Sequence, residues 1–296
     1  MDYAKVFETM VNETQKYLES NNLQAMILGI SGGLDSTVTA AICHEVEKRN
    51  PELKFIGISL PCSSNSEEEN DSAKICMKAF CKSGQWWTEN LQKEYMLMRA
   101  TCSQRHLMTT IGQGNIKARL RMTYLYNEAN YFNGLVMDTD NLTEHYLGFF
   151  TIHGDVCDFN PIGGLWKHEV YYLAEYLYTD YYDAPFGPDG ERHLALEHAL
   201  KITPTDGNGV NDLGDMGQIA PEFAYCKNMD AYEKVDNIIR TYLYGIQSHP
   251  EVFQASMQTL YDTYTPETVD GIIRRIKSTE YKRKKLPIVV GRKKYE

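Results

Sequence analysis

The sequence predicts an α/β fold in which helices flank a parallel β-sheet. Two observations lead to this prediction. Short apolar segments alternate with helical segments of ten or more residues, and the first apolar segment runs directly into a glycine turn and a helix. Strands that alternate with helices of this length form βαβ units, whose strands lie parallel to one another.

The individual elements follow from the spacing of apolar residues. Buried strands are predicted at AMILGI (25–30), KFIGISLP (54–61) and GLVMDTDN (134–141), with a further β-segment at QWWTENL (85–91). Helices are predicted over 3–20, 36–49, 63–80, 115–132, 142–150, 164–177, 231–245 and 266–278. The segment 183–230 is rich in Gly, Pro and Asp, which predicts long surface loops of the kind that form lids. We expect one domain over residues 1–296, since no linker or repeat interrupts the chain.

Composition argues against several classes of protein. The chain of 296 residues carries a formal net charge of −10 at pH 7, whereas general nucleic-acid and membrane-surface binders need a broad cationic face. No apolar run approaches the roughly 18 residues of a membrane span, and the polar N-terminus is unlike a signal peptide. The seven cysteines form no CxxC pair. This pattern favours reduced thiols and a cytoplasmic location.

The segment ILGISGGLDSTVTAAI (27–42) indicates an anion-binding site. A Gly-Gly turn lets backbone N–H groups approach an anion closely, and the dipole of the following helix adds attraction for negative charge. The turn matches neither GxxxxGK[ST] nor GxGxxG. An ordinary nucleotide P-loop and a dinucleotide fingerprint are therefore both unsupported.

Asp35 is the unexpected residue in this turn, because a lone carboxylate repels phosphate. A divalent cation held between Asp35 and the phosphates would remove the conflict. The alternative is that Asp35 only caps the helix, as acidic residues commonly do.

The string SGGLDS (31–36) resembles the SGGxDS loop of the N-type ATP pyrophosphatases, which cleave ATP to AMP and pyrophosphate. The resemblance implies the Rossmann-like fold of the adenine nucleotide α-hydrolases. It also implies that ATP binds along Gly29, Ile30, Ser31, Gly32, Gly33, Leu34, Asp35 and Ser36. The loop identifies this superfamily but not the member.

Segments further along the chain resemble one member family, NAD synthetase. GNIKARLRM (114–122), MDTDNLTEHYLGFFTIHGD (137–155) and DFNPIGGLWK (158–167) match its motifs in order and spacing, and so do TPT (203–205) and TEYKRKKLP (279–287). The resemblance extends over roughly residues 25–287, which is most of the chain.

The resemblance implies a role for several residues. The residues expected to contact ATP, besides the loop, are Thr139, Lys167 and Thr205, and those expected to contact deamido-NAD are Arg119, Asp158, Tyr281 and Lys282. Asp35 and Glu144 are expected to bind Mg²⁺, and Asp35 and Lys167 to act in catalysis. Glu144 follows a predicted strand end, which agrees with a metal shared with Asp35.

Three departures from the family pattern concern the dinucleotide more than the ATP. Ile152 stands where the family usually has lysine, Tyr281 stands where it has histidine, and the loop GDVCD (154–158) is one residue shorter than the common form. We expect these changes to affect substrate affinity more than adenylation.

The resemblance implies an enzyme that amidates deamido-NAD through an acyl-adenylate, with ATP as co-substrate and Mg²⁺ as cofactor. Glutamine-dependent relatives carry an amidase domain ahead of this one. About 24 residues precede the first predicted strand, so we expect no such domain and free ammonia as the nitrogen source. The family also implies a homodimer.

Two alternatives stay open at this point. One is another ATP pyrophosphatase, although the paired cysteines and basic RNA-binding face that tRNA thiolation needs are not evident. The other is a non-enzymatic sensor of ATP or a dinucleotide, which the unusual residues Ile152 and Tyr281 would allow. Formation of NAD and AMP from ATP, ammonium and deamido-NAD distinguishes these alternatives.

Overall fold

A four-stranded parallel sheet forms the centre of the fold in the computed structural model, which describes residues 1–62, 65–183, 189–205 and 214–284. The strands are β1 (Ala25–Gly29), β2 (Lys54–Ser59), β3 (Trp86–Thr88) and β4 (Gly134–Met137), in the spatial order β3-β2-β1-β4. In the register of the sheet, Met26 lies between Phe55 and Leu135. The predicted α/β fold with a parallel sheet is confirmed.

Helices account for most of the remaining described chain. The α-helices are α1 (Tyr3–Ser20), α2 (Leu34–Arg49), α3 (Glu67–Phe80), α4 (Gln92–Cys102), α5 (Thr110–Phe132), α6 (Leu142–Leu147), α7 (Lys167–Tyr176), α8 (Gly190–Lys201), α9 (Gly214–Ile219), α10 (Asn228–Ile246), α11 (Pro250–Thr263) and α12 (Pro266–Ser278). A π-helical turn (Leu177–Tyr181) extends α7, and short 3₁₀ turns lie at Pro221–Phe223 and Glu280–Arg283. Within the described ranges, no helix is both long and apolar enough to cross a membrane.

Both faces of the sheet are covered, which explains why its strands are apolar throughout. Successive side chains of a strand point to opposite faces. Met26 and Leu28 belong to a large core shared with α1, α2, α7 and α10, whereas Ile27 packs in a second core with α4 and α5. Burial of each such side chain contributes about 1.5–3 kcal/mol.

The prediction of long surface loops over 183–230 is wrong for most of the described residues in that segment. Helices α8 and α9, a 3₁₀ turn and the start of α10 lie there, while 184–188 and 206–213 fall outside the described residues. The error arose because Gly-Pro-Asp clusters flank ERHLALEHAL (191–200), whose buried Ala195, Leu196 and Ala199 form a helical stripe. Helices α4 and α11 were also not predicted.

The order of the strands determines where a ligand can bind. The chain leaves β1 toward β2 on one side and later returns to β4 on the other side. At such a reversal the two connections diverge and leave a crevice beyond the carboxyl ends of the strands. The residues that follow β1 and β4, including the glycine turn and Thr139, meet at this crevice.

Candidate active site

A cleft of about 610 Å³ lies at the carboxyl ends of β1, β2 and β4. The loop between β1 and α2 lines it together with residues from α5, the segment after β4 and residues 202–205. Apolar side chains such as Leu60, Met122 and Leu125 also line the cleft. The cleft thus offers apolar surface for a flat aromatic base together with polar groups for phosphates.

The glycine turn is shaped by close contact with α3. Gly32 has a φ of +84°, and a Cβ at this position would lie 2.4 Å from the backbone nitrogen of Ala73. Gly33 is the N-cap of α2 and offers no side chain to its first turn. The N–H groups of that turn therefore remain available to an anion in the cleft.

The carboxylate of Asp35 makes contacts outside its own helix. One oxygen, Oδ1, accepts a hydrogen bond of 3.0 Å from Nδ2 of Asn141, and the other oxygen, Oδ2, pairs with Nζ of Lys167. That Nζ also lies 3.7 Å from Oε1 of Glu144. Asp35 is thus more than a helix cap, because it joins α2 to the starts of α6 and α7.

The three charged groups at this junction strongly affect one another. Burial and the charge of Asp35 raise the pKa of Glu144 to about 8, although Lys167 acts in the opposite direction. Burial by itself lowers the pKa of Lys167, but the carboxylates of Asp35 and Glu144 outweigh it and raise that pKa above its ordinary value. Lys167 therefore stays protonated and balances part of the negative charge.

Asp35 and Glu144 together form a suitable donor set for Mg²⁺. This ion prefers oxygen ligands and is commonly held by one or two carboxylates plus substrate phosphates. Burial and then the neighbouring charge of Asp35 raise the pKa of Glu144, and a bound cation would favour the charged carboxylate again. The described part of the chain contains no cluster of three or more acidic, His or Cys ligands, so substrate phosphates and water would complete the coordination.

A second charged region lies where α6 ends. Three cations donate hydrogen bonds to carbonyl groups there, which are unpaired within the helix itself. The pairs are Lys282 with Gly148 (2.7 Å) and Phe150 (2.5 Å), Arg275 with Leu147 (2.9 Å), and Arg283 with Tyr146 (2.7 Å). These cations fix the backbone that forms one wall of the cleft.

Most residues that the sequence assigned to ATP, Mg²⁺ or catalysis line the cleft: Gly29, Ile30, Ser31, Gly32, Gly33, Leu34, Asp35, Thr139, Glu144, Lys167 and Thr205. Ser36 is buried beneath the turn, and its hydroxyl donates to the carbonyl of Gly33 at 3.0 Å. The glycine turn, the segment after β4 and the start of α7 are therefore brought together as expected.

The residues assigned to deamido-NAD are more dispersed. Lys282 lines the cleft, but Arg119, Asp158 and Tyr281 do not. Arg119 is exposed on α5 and donates to the carbonyl of Ile152 at 3.1 Å. Asp158 accepts hydrogen bonds from the Tyr126 hydroxyl at 2.7 Å and from a backbone N–H at 3.0 Å. These three residues thus lie on surface beside the cleft.

Sequence reasoning missed residues that hold the site together. Asn141 forms a reciprocal capping box with Glu144. An asparagine three positions before a glutamate is a sequence pattern that indicates such a box. Arg121 lines the cleft and donates to the Leu60 carbonyl at 3.0 Å. Asp236 lies on the apolar face of α10. In the sequence, the only indication of its role is that a charged residue occupies a position in the apolar stripe of this helix.

Comparison with known proteins gives one consistent family. The family model described as NAD synthase matches residues 6–185. The NH(3)-dependent NAD(+) synthetase of Campylobacter jejuni subsp. jejuni strain 81-176 is 34% identical over 185 residues, which cover 60% of this chain and 69% of the relative. The protein of the same name from Carboxydothermus hydrogenoformans is 38% identical over 180 residues, with coverage of 60% and 71%.

Solved structures share the fold at lower identity. The NMN synthetase from Francisella tularensis has a TM-score of 0.73 at 22% identity, covering 98% of this chain and 99% of that one. The NH3-dependent NAD synthetase from Campylobacter jejuni, solved with a nitrate ion, has a TM-score of 0.68 at 23% identity, with coverage of 98% and 100%. The architecture is therefore that of the adenine nucleotide α-hydrolases.

Proposed function

We infer that this chain, which belongs to the NAD synthase family, catalyses the ATP-dependent amidation of deamido-NAD to NAD with ammonia as the nitrogen donor. Relatives named NH(3)-dependent NAD(+) synthetase, at 33–38% identity, support this function. The observation that carries the proposal is the junction of Asp35, Lys167 and Glu144 at the head of α2, beside N–H groups suited to phosphates.

The proposed reaction has two steps. An oxygen of the nicotinate carboxylate attacks the α-phosphorus of ATP, and the bond to pyrophosphate breaks. Ammonia then attacks the carbonyl carbon of the acyl-adenylate, AMP departs, and one proton is released as the amide forms. Such chemistry requires mainly orientation of the substrates and stabilisation of negative charge.

The residues of the cleft suit these requirements. The N–H groups of the first turn of α2 would hold phosphate oxygens. The charged side chain of Lys167 is only 3% exposed, so water screens its charge weakly. Asp35 and Glu144 would hold Mg²⁺, which when bound neutralises charge on the departing pyrophosphate. Asn141 fixes the orientation of the Asp35 carboxylate through a hydrogen bond of 3.0 Å.

An assay of purified protein with ATP, Mg²⁺, ammonium and deamido-NAD tests the function. We expect NAD, AMP and pyrophosphate in equal amounts. ATP binding without turnover would instead support a sensor.

Parallel reactions with nicotinate mononucleotide test the identity of the acceptor. They are needed because Arg119, Asp158 and Tyr281, expected to contact the dinucleotide, do not line the cleft. Faster turnover of the mononucleotide would reassign the acceptor.

Asp35→Asn and Glu144→Gln test the proposed metal site. Each variant removes one of two carboxylates from the same cation, so we expect turnover to fall by about 100-fold or more and the Mg²⁺ requirement to rise. Initial rates measured across a range of Mg²⁺ concentrations check this expectation. Near-normal rates for both variants at limiting Mg²⁺ would show that the two residues do not share a metal.

We also propose that the protein is a homodimer assembled through α4 and the start of α5. Five large apolar residues are exposed on these helices and on the segment between them: Met96, Leu97, Met98, Leu107 and Ile111. Monomeric proteins rarely expose large contiguous apolar patches, and these residues lie close together in the sequence, although Ile111 also lines the cleft. Arg119 lies further along α5, about 12 Å beyond Ile111 along the helix axis. Free thiols at all seven cysteines support a cytoplasmic location.

A further inference from the structure

Asp236 is a carboxylate with no solvent exposure in the middle of α10. Its two oxygens accept three hydrogen bonds: from the Thr143 hydroxyl at 2.5 Å, from the His168 backbone N–H at 3.1 Å, and from the His168 ring Nδ1 at 2.8 Å. A buried carboxylate is costly unless such donors satisfy it. The three donors come from α6 and α7, so Asp236 joins these helices.

The donors adjoin the charged residues of the cleft. Thr143 directly precedes Glu144, and His168 directly follows Lys167. The Thr143 hydroxyl donates to Asp236 and accepts a hydrogen bond of 2.9 Å from the backbone N–H of Lys167. A continuous chain of hydrogen bonds therefore runs from Lys167 through Thr143 to Asp236.

Helix α10 also contacts Lys167 directly. Tyr232 lies one turn before Asp236 on the same face of α10, and the centre of its ring is 5.6 Å from Nζ of Lys167. Residues four apart on a helix face the same neighbours. α10 lies outside residues 6–185 that match the family model, so a later part of the chain supports the site.

We propose that Asp236 is a positioning residue that fixes Lys167 and Glu144 relative to Asp35. This inference rests on the proposed function. Asp236 does not line the cleft, so it acts through the starts of α6 and α7. Removing a buried hydrogen-bond partner of this type from a site typically costs about 10–100-fold in activity or metal affinity.

Asp236→Asn and Thr143→Val test the inference with little change of shape. Asn offers one acceptor oxygen in place of two, and Val cannot relay the hydrogen bond. We expect kcat to fall about 10–100-fold in each variant. The kcat of the double variant should lie within about threefold of the kcat of the less active single variant. Both substitutions break the same series of hydrogen bonds, so their effects should not add. Thr143→Ser keeps the hydroxyl and should retain most activity.

Glu47→Gln is the matched control. Glu47 is also a buried carboxylate, 1% exposed, that accepts hydrogen bonds from Phe55 and Gln85 near the other end of α2. We expect Glu47→Gln to lower the melting temperature of the protein but to change kcat by less than about twofold. Equal losses of kcat in Glu47→Gln and Asp236→Asn, or unchanged kcat in Asp236→Asn and Thr143→Val, would overturn the inference.

A binding measurement separates this inference from the proposed function. If the wild-type protein produces no NAD, the proposed function fails, and calorimetric titration of ATP with Mg²⁺ then tests Asp236 alone. At least tenfold weaker binding in Asp236→Asn and Thr143→Val, but not in Glu47→Gln, would support the positioning role. Equal affinity in all four proteins would overturn it.

Discussion

Lys167 has an environment that its position in the sequence does not reveal. It is the first residue of α7, where a lysine is usually solvated and is disfavoured by the helix dipole. Its side chain is only 3% exposed and pairs with Asp35, with Glu144 nearby. A buried ion pair is weak evidence for stability, because the cost of removing two charges from water can exceed their attraction. The position is therefore better explained by a role in the cleft than by stability.

Glu144→Gln should stabilise the metal-free protein at high pH. The pKa of Glu144 is raised to about 8, first by burial and then by Asp35. The folded state therefore retains a proton that the unfolded chain has lost, and the wild-type protein loses stability as the pH rises from about 4.5 to about 8. Gln carries no such charge.

Thermal unfolding in the presence of a chelator, at pH 6 and pH 9, measures this effect. We expect the variant to gain melting temperature relative to wild type at both pH values, and the gain to be clearly larger at pH 9 than at pH 6. Added Mg²⁺ and ATP should reverse the order, because only the wild-type carboxylate binds the ion. An identical difference at both pH values would contradict the prediction.

At the scale of elements, the short helix α6 depends on neighbouring residues for its stability. It has six residues, too few for stability as an isolated helix. Asn141 and Glu144 cap its beginning, and Gly148 and the cations Lys282, Arg275 and Arg283 cap its end. The helix that carries Glu144 is thus held in place by α12 and the 3₁₀ turn that follows it.

Gly148→Ala should loosen this arrangement. Gly148 has a φ of +67°, and a Cβ would lie 2.5 Å from the Cβ of Thr279. The left-handed conformation alone costs a non-glycine residue about 1–2 kcal/mol, so we expect at least that loss of unfolding free energy and lower activity. Denaturant unfolding with an activity assay measures both quantities.

Gly271→Ala is the control for this change. Gly271 lies inside α12, and no atom outside its own helix would contact an added Cβ. Alanine is the better helix former by about 1 kcal/mol, so this variant should be as stable as wild type or more stable. A similar destabilisation by both substitutions would contradict the role given to Gly148.

At the scale of the whole molecule, the apolar surface on α4 and the start of α5 predicts self-association. Leu97 is 71% exposed, and a charge in its place should oppose burial against a partner. We expect the wild-type protein to have twice the chain mass of 34.0 kDa in solution and Leu97→Glu to be a monomer. Size-exclusion chromatography with light scattering measures this.

Tyr225→Glu provides the comparison for the dimer prediction. Tyr225 is 84% exposed but lies outside α4 and α5, so the variant should keep the mass of the wild type. If Leu97→Glu remains dimeric, or Tyr225→Glu also becomes monomeric, the proposed interface is in the wrong place. Activity of the Leu97→Glu monomer would further show whether Arg119 needs the partner to act.

The sequence by itself determined the strands, the glycine turn and the charged residues Asp35, Glu144 and Lys167 of the cleft. These features depend on local spacing: apolar runs predict buried strands, and SGGLDS (31–36) indicates a helix N-terminus that binds anions. The carboxyl ends of parallel strands meet at one edge, so Asp35, Thr139 and Glu144 were expected to be neighbours. The helix α8 was missed because flanking Gly and Pro residues masked its pattern.

Only the tertiary structure decided how these residues are held. Lys167 contacts Asp35 across 132 positions of the chain, and Asp236 meets Thr143 across 93. No local pattern encodes such pairings, because they depend on how α6, α7 and α10 pack. The same packing left Arg119 exposed and directed Lys282 to backbone carbonyls. Spacing along the chain therefore specified the chemical groups, and packing specified their partners.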